Sequence, residues 1–315
     1  MKAIMIIEEI RPECKKDFRQ PSHFLEQEVI GMDIVTETLT LPTEDGVHLH
    51  VSAWLPPDAA RGVVCIVHGM GEHGGRYADV ASEMVRAGLA VYAVDQRGHG
   101  RTPGVRGHAP SAERLALDAA RFVGMAGARH PGLPLFLYGH SMGGNVALSC
   151  AIRCRPPIAG LILTSPWLRL AFDPPQGKLR IGRVAAAVWP RLTLSTGLGR
   201  ALYRNNPLQS ELDSRDPLLH NRISAAMFFS IRDEGERSLR EARRQLRVPV
   251  LLLHGTEDTV TSFAASRELA ETLRGQCEFV AWEGGWHELH NDVDRKEVLD
   301  RIIGWINGRI QACSE

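Results

Sequence analysis

Five short runs of apolar residues, GVVCIVHG, LAVYAVD, LPLFLYGH, IAGLILTSP and VPVLLLHG, recur along the chain with helical segments between most of them. Each run is apolar at odd and even positions alike. A strand with one face in water would alternate instead, so these strands need cover on both faces. The intervening segments YADVASEMVRAG, SAERLALDAARFVGMA and NVALSCAIR have amphipathic or apolar helical patterns. Strand and helix taken in turn predict an α/β fold with a mostly parallel central sheet flanked by helices. An antiparallel hairpin precedes it, because Asp45-Gly46 separates the alternating runs TETLTL and VHLHVSAWL.

The rhythm breaks between Trp167 and Arg240, where helical pieces and Pro174-Pro175 appear without a convincing buried strand. It resumes at VPVLLLHG. The expected organisation is therefore an extension over residues 1–35, a first part of the core over 36–166, a helical cap over 167–240, and the rest of the core over 241–315. The charge balance is neutral, 37 basic against 37 acidic residues, so no global field draws the chain to nucleic acid. Six cysteines without CxxC or zinc spacing read as free thiols in a reducing compartment. Glu8 and Glu9 interrupt the opening apolar residues, which argues against a signal peptide, and no run reaches the length of a membrane span. The expectation is a cytoplasmic protein, able at most to visit a membrane surface.

Reactive residues fall at the ends of these strands. Gly139-His-Ser141-Met142-Gly143 lies between the strand LPLFLY and a helix, the setting of a strained turn that lifts a serine hydroxyl off the sheet edge. The Met142 N–H at the helix start points to where negative charge would develop. A serine nucleophile needs a base and a group to orient it, in the chain order Ser, acid, His. Asp258 follows VPVLLLHG directly, with Glu257 as its near rival; Asp173, Asp213, Asp216 and Asp233 fall in the insertion. His287 follows the strand FVAW, with His290 three residues on as the alternative base. His254 and His220 are placed less well. His287-Glu-Leu-His290 is not the H-E-x-x-H of a zinc site, and this chemistry requires neither metal nor organic cofactor.

A second pattern competes. Gly69-x-Gly71-x-x-Gly74 follows a strand and is trailed by Asp95 at the end of the next, which is the fingerprint of a dinucleotide-binding turn and would imply an NAD-dependent oxidoreductase. That reading leaves Ser141, Asp258 and His287 at separate strand ends by coincidence.

With these residues assembled, the sequence resembles the monoacylglycerol lipase and lysophospholipase branch of the α/β-hydrolases. The resemblance rests on HGMGEHGGRY (68–77), DQRGHGRT (95–102), PGVRGH (103–108), GHSMGG (139–144), DPLL (216–219), VPVLLLHGTEDTV (248–260) and GGWHELHND (284–292). It implies a triad of Ser141, Asp258 and His287, and a Met70 N–H beside that of Met142 as oxyanion donors. It also implies a polar head-group pocket lined or supported by Glu72, Arg76 and His290, although Glu72 and Arg76 are equally suited to pair with each other. The expected reaction is cleavage of monoacylglycerol to fatty acid and glycerol, with lysophospholipase, general esterase or acyltransferase activity as alternatives on the same triad. In the cap, KLRIGRVAAAVWPRL mixes Lys178, Arg180, Arg183 and Arg191 with apolar residues. Such a helix either rests transiently on a lipid surface or turns its apolar side to the core. Acyl-chain length and oligomeric state are not legible in the sequence.

Overall fold

The computed structural model describes residues 34–197, 202 and 206–314, so nearly all of the expected extension lies outside the described residues. The chain opens with an antiparallel pair, β1 (Val35–Pro42) and β2 (His48–Leu55), joined through Asp45-Gly46 with Gly46 at φ +81°. Then β3 (Gly62–Val67), α1 (Ala78–Arg86), β4 (Leu89–Val94), α2 (Ala112–Arg129), β5 (Leu135–His140), α3 (Met142–Arg153) and β6 (Gly160–Thr164) follow in alternation. The stretch after β6 holds α4 (Gln176–Val188), β7 (Thr193–Ser195), α5 (Pro207–Arg215), β8 (Arg222–Ser224) and α6 (Ala225–Gln245). The alternation returns with β9 (Val250–Gly255), α7 (Phe263–Thr272), β10 (Cys277–Trp282) and α8 (Arg295–Ser314).

Eight strands form one sheet in the order β1-β2-β4-β3-β5-β6-β9-β10, parallel from β4 onward. This is the α/β-hydrolase architecture anticipated above. The all-apolar strands are explained by two separate cores. Val63, Cys65 and Val67 of β3 face a cluster with Phe122 of α2, Val146 of α3, Ile231 of α6 and Leu269 of α7. Val64 and Ile66 face the opposite side, with Met84 of α1 and Ile302 and Trp305 of α8. At about 1.5–3 kcal/mol for each large side chain withdrawn from water, both faces of every central strand contribute to stability.

Among the described residues between β6 and β9 no strand joins this sheet; β7 and β8 pair with each other. Residue 240 lies within α6, whose Met227, Ile231, Leu239 and Ala242 belong to the first core, so α6 is rooted in the α/β body. The structure corrects the core-facing alternative for the basic helix. None of α4 is buried, and Ile181 and Trp189 just beyond it are 73% and 67% exposed. The helix leans on α6 through Arg183, whose guanidinium lies 4.5 Å from the Phe229 ring centre and pairs with Asp233, and this contact leaves its apolar residues outward.

Sheet order locates the site. From β3 the chain steps outward to β4 and then returns across β3 to β5, so the connections diverge at the β3–β5 pair. A crevice opens beyond the carboxyl ends of strands at such a point, and the loops after β3 and β5 carry Gly69–Gly74 and Ser141.

Candidate active site

Ser141 links β5 to α3 with φ +53° and ψ −120°, a left-handed conformation that costs a non-glycine residue about 1–3 kcal/mol. It is held there by its own backbone. The Ser141 N–H donates to Thr164 O at 3.0 Å, and its carbonyl accepts from Trp167 N–H at 2.8 Å. The turn is sharp enough that a Cβ on Gly139 would lie 2.7 Å from the Ala147 methyl, and one on Gly143 would run into the Val67 and His68 carbonyls. The two glycines of the pentapeptide thus permit the close approach that fixes the serine.

His287, in the loop after β10, places Nε2 2.9 Å from Ser141 Oγ and Nδ1 2.8 Å from Asp258 Oδ2. The three side chains form one hydrogen-bonded row, and each is at least nine-tenths buried. Asp258, just past β9, is fully engaged. Oδ1 accepts the Val260 and Thr261 N–H groups at 2.7 and 3.0 Å, and Oδ2 lies 2.8 Å from the Thr261 hydroxyl and 3.1 Å from His254 Nε2. Burial opposes its ionisation, but His287 and His254 outweigh that and hold the carboxyl far below the usual carboxylate range. For His287, burial alone would favour the neutral ring; the Asp258 charge overcomes it and raises the pKa above the ordinary value. Thr261 and His254 as supports of Asp258 were not singled out from the sequence. An Asp three residues before a Thr, at a strand end, is a local signal for such a turn.

The rivals are placed elsewhere. Glu257 is exposed. His290 is buried, stacked on Tyr77 with centroids 5.0 Å apart and set edge-on to His140, and among the described residues neither ring nitrogen has a hydrogen-bond partner. Burial lowers its pKa to about 4, so the ring is neutral at ordinary pH. His254 is taken by Asp258 and by Ser266 at 2.7 Å. His220 lies 3.1 Å from Gly98 O.

The loop after β3 abuts the serine: a Cβ on Gly69 would lie 3.1 Å from Ser141 Cβ. Met142 is the first residue of α3, so its N–H has no intrahelical acceptor. Among the described residues the Met70 N–H also makes no hydrogen bond. The dinucleotide reading is overturned here. Asp95 spends its carboxylate on the Gly74 and Arg101 N–H groups, both at 2.7 Å, which ties the loop to the sheet instead of presenting an acceptor for a ribose. The glycines serve that closure and the approach to Ser141.

Glu72 and Arg76 do pair, at 2.8 Å, within a larger group. The buried Arg76 guanidinium also bonds Asp213 at 2.8 Å and Glu288 at 3.0 Å, while Tyr77 donates to Glu72 at 3.0 Å. All four charged residues line a cavity of about 370 Å³ that reaches Met70 and is otherwise bordered by groups such as Ser210, His220 and Asn221. His290 is not in its wall. Glu288 and Asp213 are members that the sequence did not single out, since a carboxylate next to His287 carries no spacing signal of its own. Arg76→Met should destabilise the fold by about 3–5 kcal/mol, because it leaves Glu72 and Glu288 buried without their partner. Chemical denaturation of the variant checks this.

Residues 58–294 match the Hydrolase_4 family, described as serine aminopeptidase, S33. A monoacylglycerol lipase from Mycolicibacterium smegmatis is 30% identical over 263 residues, covering 83% of this chain and 93% of that protein. The chain belongs to the Hydrolase_4 family, in its monoacylglycerol lipase branch. A solved structure, the monoacylglycerol lipase of Paleococcus ferrophilus, is similar with a TM-score of 0.73 and 32% identity, covering 88% of this chain and all of that one. This Hydrolase_4 member also matches an uncharacterized abhydrolase domain-containing protein of Dictyostelium discoideum, 33% identical over 274 residues. The match takes in 86% of this chain and spans 29% of the length of that relative.

Proposed function

We propose that the protein is a serine ester hydrolase that cleaves monoacylglycerol to fatty acid and glycerol. The observation that carries this reading is the row Ser141–His287–Asp258, with hydrogen bonds of 2.9 and 2.8 Å at the crevice. As the Ser141 hydroxyl attacks the ester carbonyl, His287 Nε2 takes its proton, and Asp258 holds the ring in the required tautomer and stabilises the imidazolium. The Met70 and Met142 N–H groups hold the oxyanion, each worth about 3 kcal/mol in the transition state. Glycerol leaves with the proton from His287, and water repeats the sequence on the acyl-enzyme.

Two features support monoacylglycerol over a lysophospholipid, whose acyl ester is the same but whose head group carries a phosphodiester. The relatives from Mycolicibacterium smegmatis and Paleococcus ferrophilus are monoacylglycerol lipases by name. The cavity reaching Met70 carries three carboxyl groups to one guanidinium, a setting that suits neutral hydroxyls and repels a phosphodiester. Glu72 and Arg76 belong to that wall, and His290 supports it from behind through Tyr77, which donates to Glu72. The test is release of fatty acid from a monoacylglycerol and from a lysophospholipid, and of nitroaniline from an aminoacyl nitroanilide, each with wild-type protein and Ser141→Ala. Faster turnover of the lysophospholipid or the nitroanilide than of the glyceride would overturn the substrate assignment.

Among the described residues no helix is long and apolar enough to cross a membrane. Contact with a lipid surface is instead assigned to α4 and the residues after it, where exposed Ile181, Val184, Val188 and Trp189 stand among Lys178, Arg180 and Arg191. A cytoplasmic enzyme that meets its substrate at a membrane surface fits this arrangement, and the five free cysteines among the described residues suit a reducing compartment. The pair Ile181→Asp and Trp189→Ser should lower binding to anionic phospholipid vesicles about tenfold or more, while turnover of a water-soluble nitrophenyl ester is kept. Co-sedimentation unchanged by both substitutions would remove the assignment.

A further inference from the structure

The loop that bears the Met70 N–H is held from the core and from the insertion, and the Gly69 carbonyl of the Met70 peptide itself lies 2.7 Å from His68 Nδ1. On the core side, Gly69 N–H donates to Glu72 Oε1, and that carboxylate is itself fixed by Arg76 and the Tyr77 hydroxyl. On the other side, the carbonyl of Gly71 accepts the backbone N–H of His220 at 2.9 Å. Contact there is tight. Gly71 has φ +81°, and a Cβ on it would run into the His220 carbonyl.

The stretch that carries His220 is itself fastened at both ends to the loops around the crevice. Asp216 Oδ2 lies 2.7 Å from His73 Nε2, and its Oδ1 accepts Leu218 N–H at 2.8 Å. His73 Nδ1 accepts the Gly75 N–H at 3.1 Å, so the proton of the neutral ring is on Nε2 and is donated to Asp216. Likewise the Arg222 N–H points to His220 Nδ1 at 3.3 Å, which places the His220 proton on Nε2 for donation to Gly98 O at 3.1 Å. The His220 ring also lies against His99, centroids 4.8 Å apart, and His99 against His68 at 5.2 Å, the residue that opens the Met70 loop.

We propose that Asp216 and His220 are positioning residues for the reaction: residues 216–220 clamp the loop of residues 69–72 from the insertion side and hold the Met70 N–H on the oxyanion. The proposal rests on the ester-hydrolase reading and extends it. Alignment of this donor depends on how the insertion is seated, because withdrawing residues 216–220 removes the anchor on the insertion side, the Gly71 carbonyl to His220 N–H bond, while leaving Ser141, His287 and Asp258 untouched. Neither residue touches the reacting atoms, so loss of the anchor is felt in the transition state; His220 also borders the cavity, and Asp216, which does not line it, carries the test free of that contact.

The experiment compares wild type with His220→Ala, Asp216→Asn and His220→Gln, whose amide reaches the position of Nε2 and can donate to Gly98 O. His220→Ala should lower kcat about tenfold with KM within about twofold of wild type, since a displaced donor forfeits part of the 10²–10³ that a deleted one costs. Affinity for an alkyl boronic acid, which forms a tetrahedral adduct on Ser141, should fall by the same factor. His220→Gln should recover most of both losses. Asp216→Asn gives the same pattern more weakly, and it keeps the acceptor for Leu218 N–H, so it reports even where His220→Ala does not fold. A rise in KM at constant kcat, or unchanged boronic-acid affinity in a variant of lowered kcat, overturns the positioning role. Wild-type activity in both His220→Ala and Asp216→Asn does so too. A wild-type protein that neither cleaves esters nor binds the boronic acid would sink the ester-hydrolase reading itself, and the positioning role with it.

Discussion

Replacing Ser141 by alanine is expected to reduce ester turnover on the order of 10⁶-fold, with the thermal unfolding midpoint changed little. In the proposed mechanism the loss is large because the hydroxyl is the one group that forms the covalent bond; His287 and Asp258 would have nothing to activate without it. The fold should survive because the restraints on residue 141 are made by its backbone, to Thr164 and Trp167, and by the glycines packed beneath the turn. Alanine keeps the same φ penalty and adds no volume. His287→Ala should cost about as much, since the two act as a unit. Steady-state hydrolysis of a nitrophenyl ester and a melting curve suffice to check both. Retention of more than about one part in 10³ of wild-type turnover by Ser141→Ala would transfer the chemistry elsewhere.

Asp258→Asn is expected to lower kcat about 10⁴-fold and to move the acid limb of the pH profile downward. The sign follows from the base form. His287 accepts a proton only when neutral, and Asp258 raises its pKa above the ordinary imidazole value, so wild-type activity falls as pH drops through that raised pKa. Asparagine removes the charge that does most of the raising and leaves burial, which favours the neutral ring, opposed only by the weaker pull of Glu288 and Glu72. The limb therefore lies at lower pH in the variant, although the maximum rate is far smaller, because asparagine no longer selects the tautomer with the proton on Nδ1. An acid limb unmoved by the substitution would mean that some group other than His287 titrates there.

The two glycine motifs show what local pattern can and cannot decide. Gly139-x-Ser141-x-Gly143 and Gly69-x-Gly71-x-x-Gly74 both stand between a strand and a helix, and each alone supports a different enzyme. What separates them is the use of Asp95. A free carboxylate there would suit a ribose; one consumed by the Gly74 and Arg101 N–H groups braces a loop beside Ser141. Hydrogen-bond consumption is a property of the folded loop and leaves no mark on spacing. The same limit applied to Arg76, whose i,i+4 relation to Glu72 was visible while its bonds to Asp213 and Glu288, far along the chain, were not.

Taken by itself, the sequence determined the parallel sheet, because runs apolar at every position have no stable place except between two layers of helices. It also determined which ends of which strands hold Ser141, Asp258 and His287, since chain order and strand ends are one-dimensional facts. Tertiary structure alone decided the rest. It set the distances that make those three residues a row, the stacking on Tyr77 that keeps His290 out of it, and the outward face of α4. It also seated residues 216–220 against the Met70 loop. Those outcomes depend on which surfaces meet after the sheet has formed, and the energies that choose among them come from contacts between residues too far apart in the chain for any local pattern to encode.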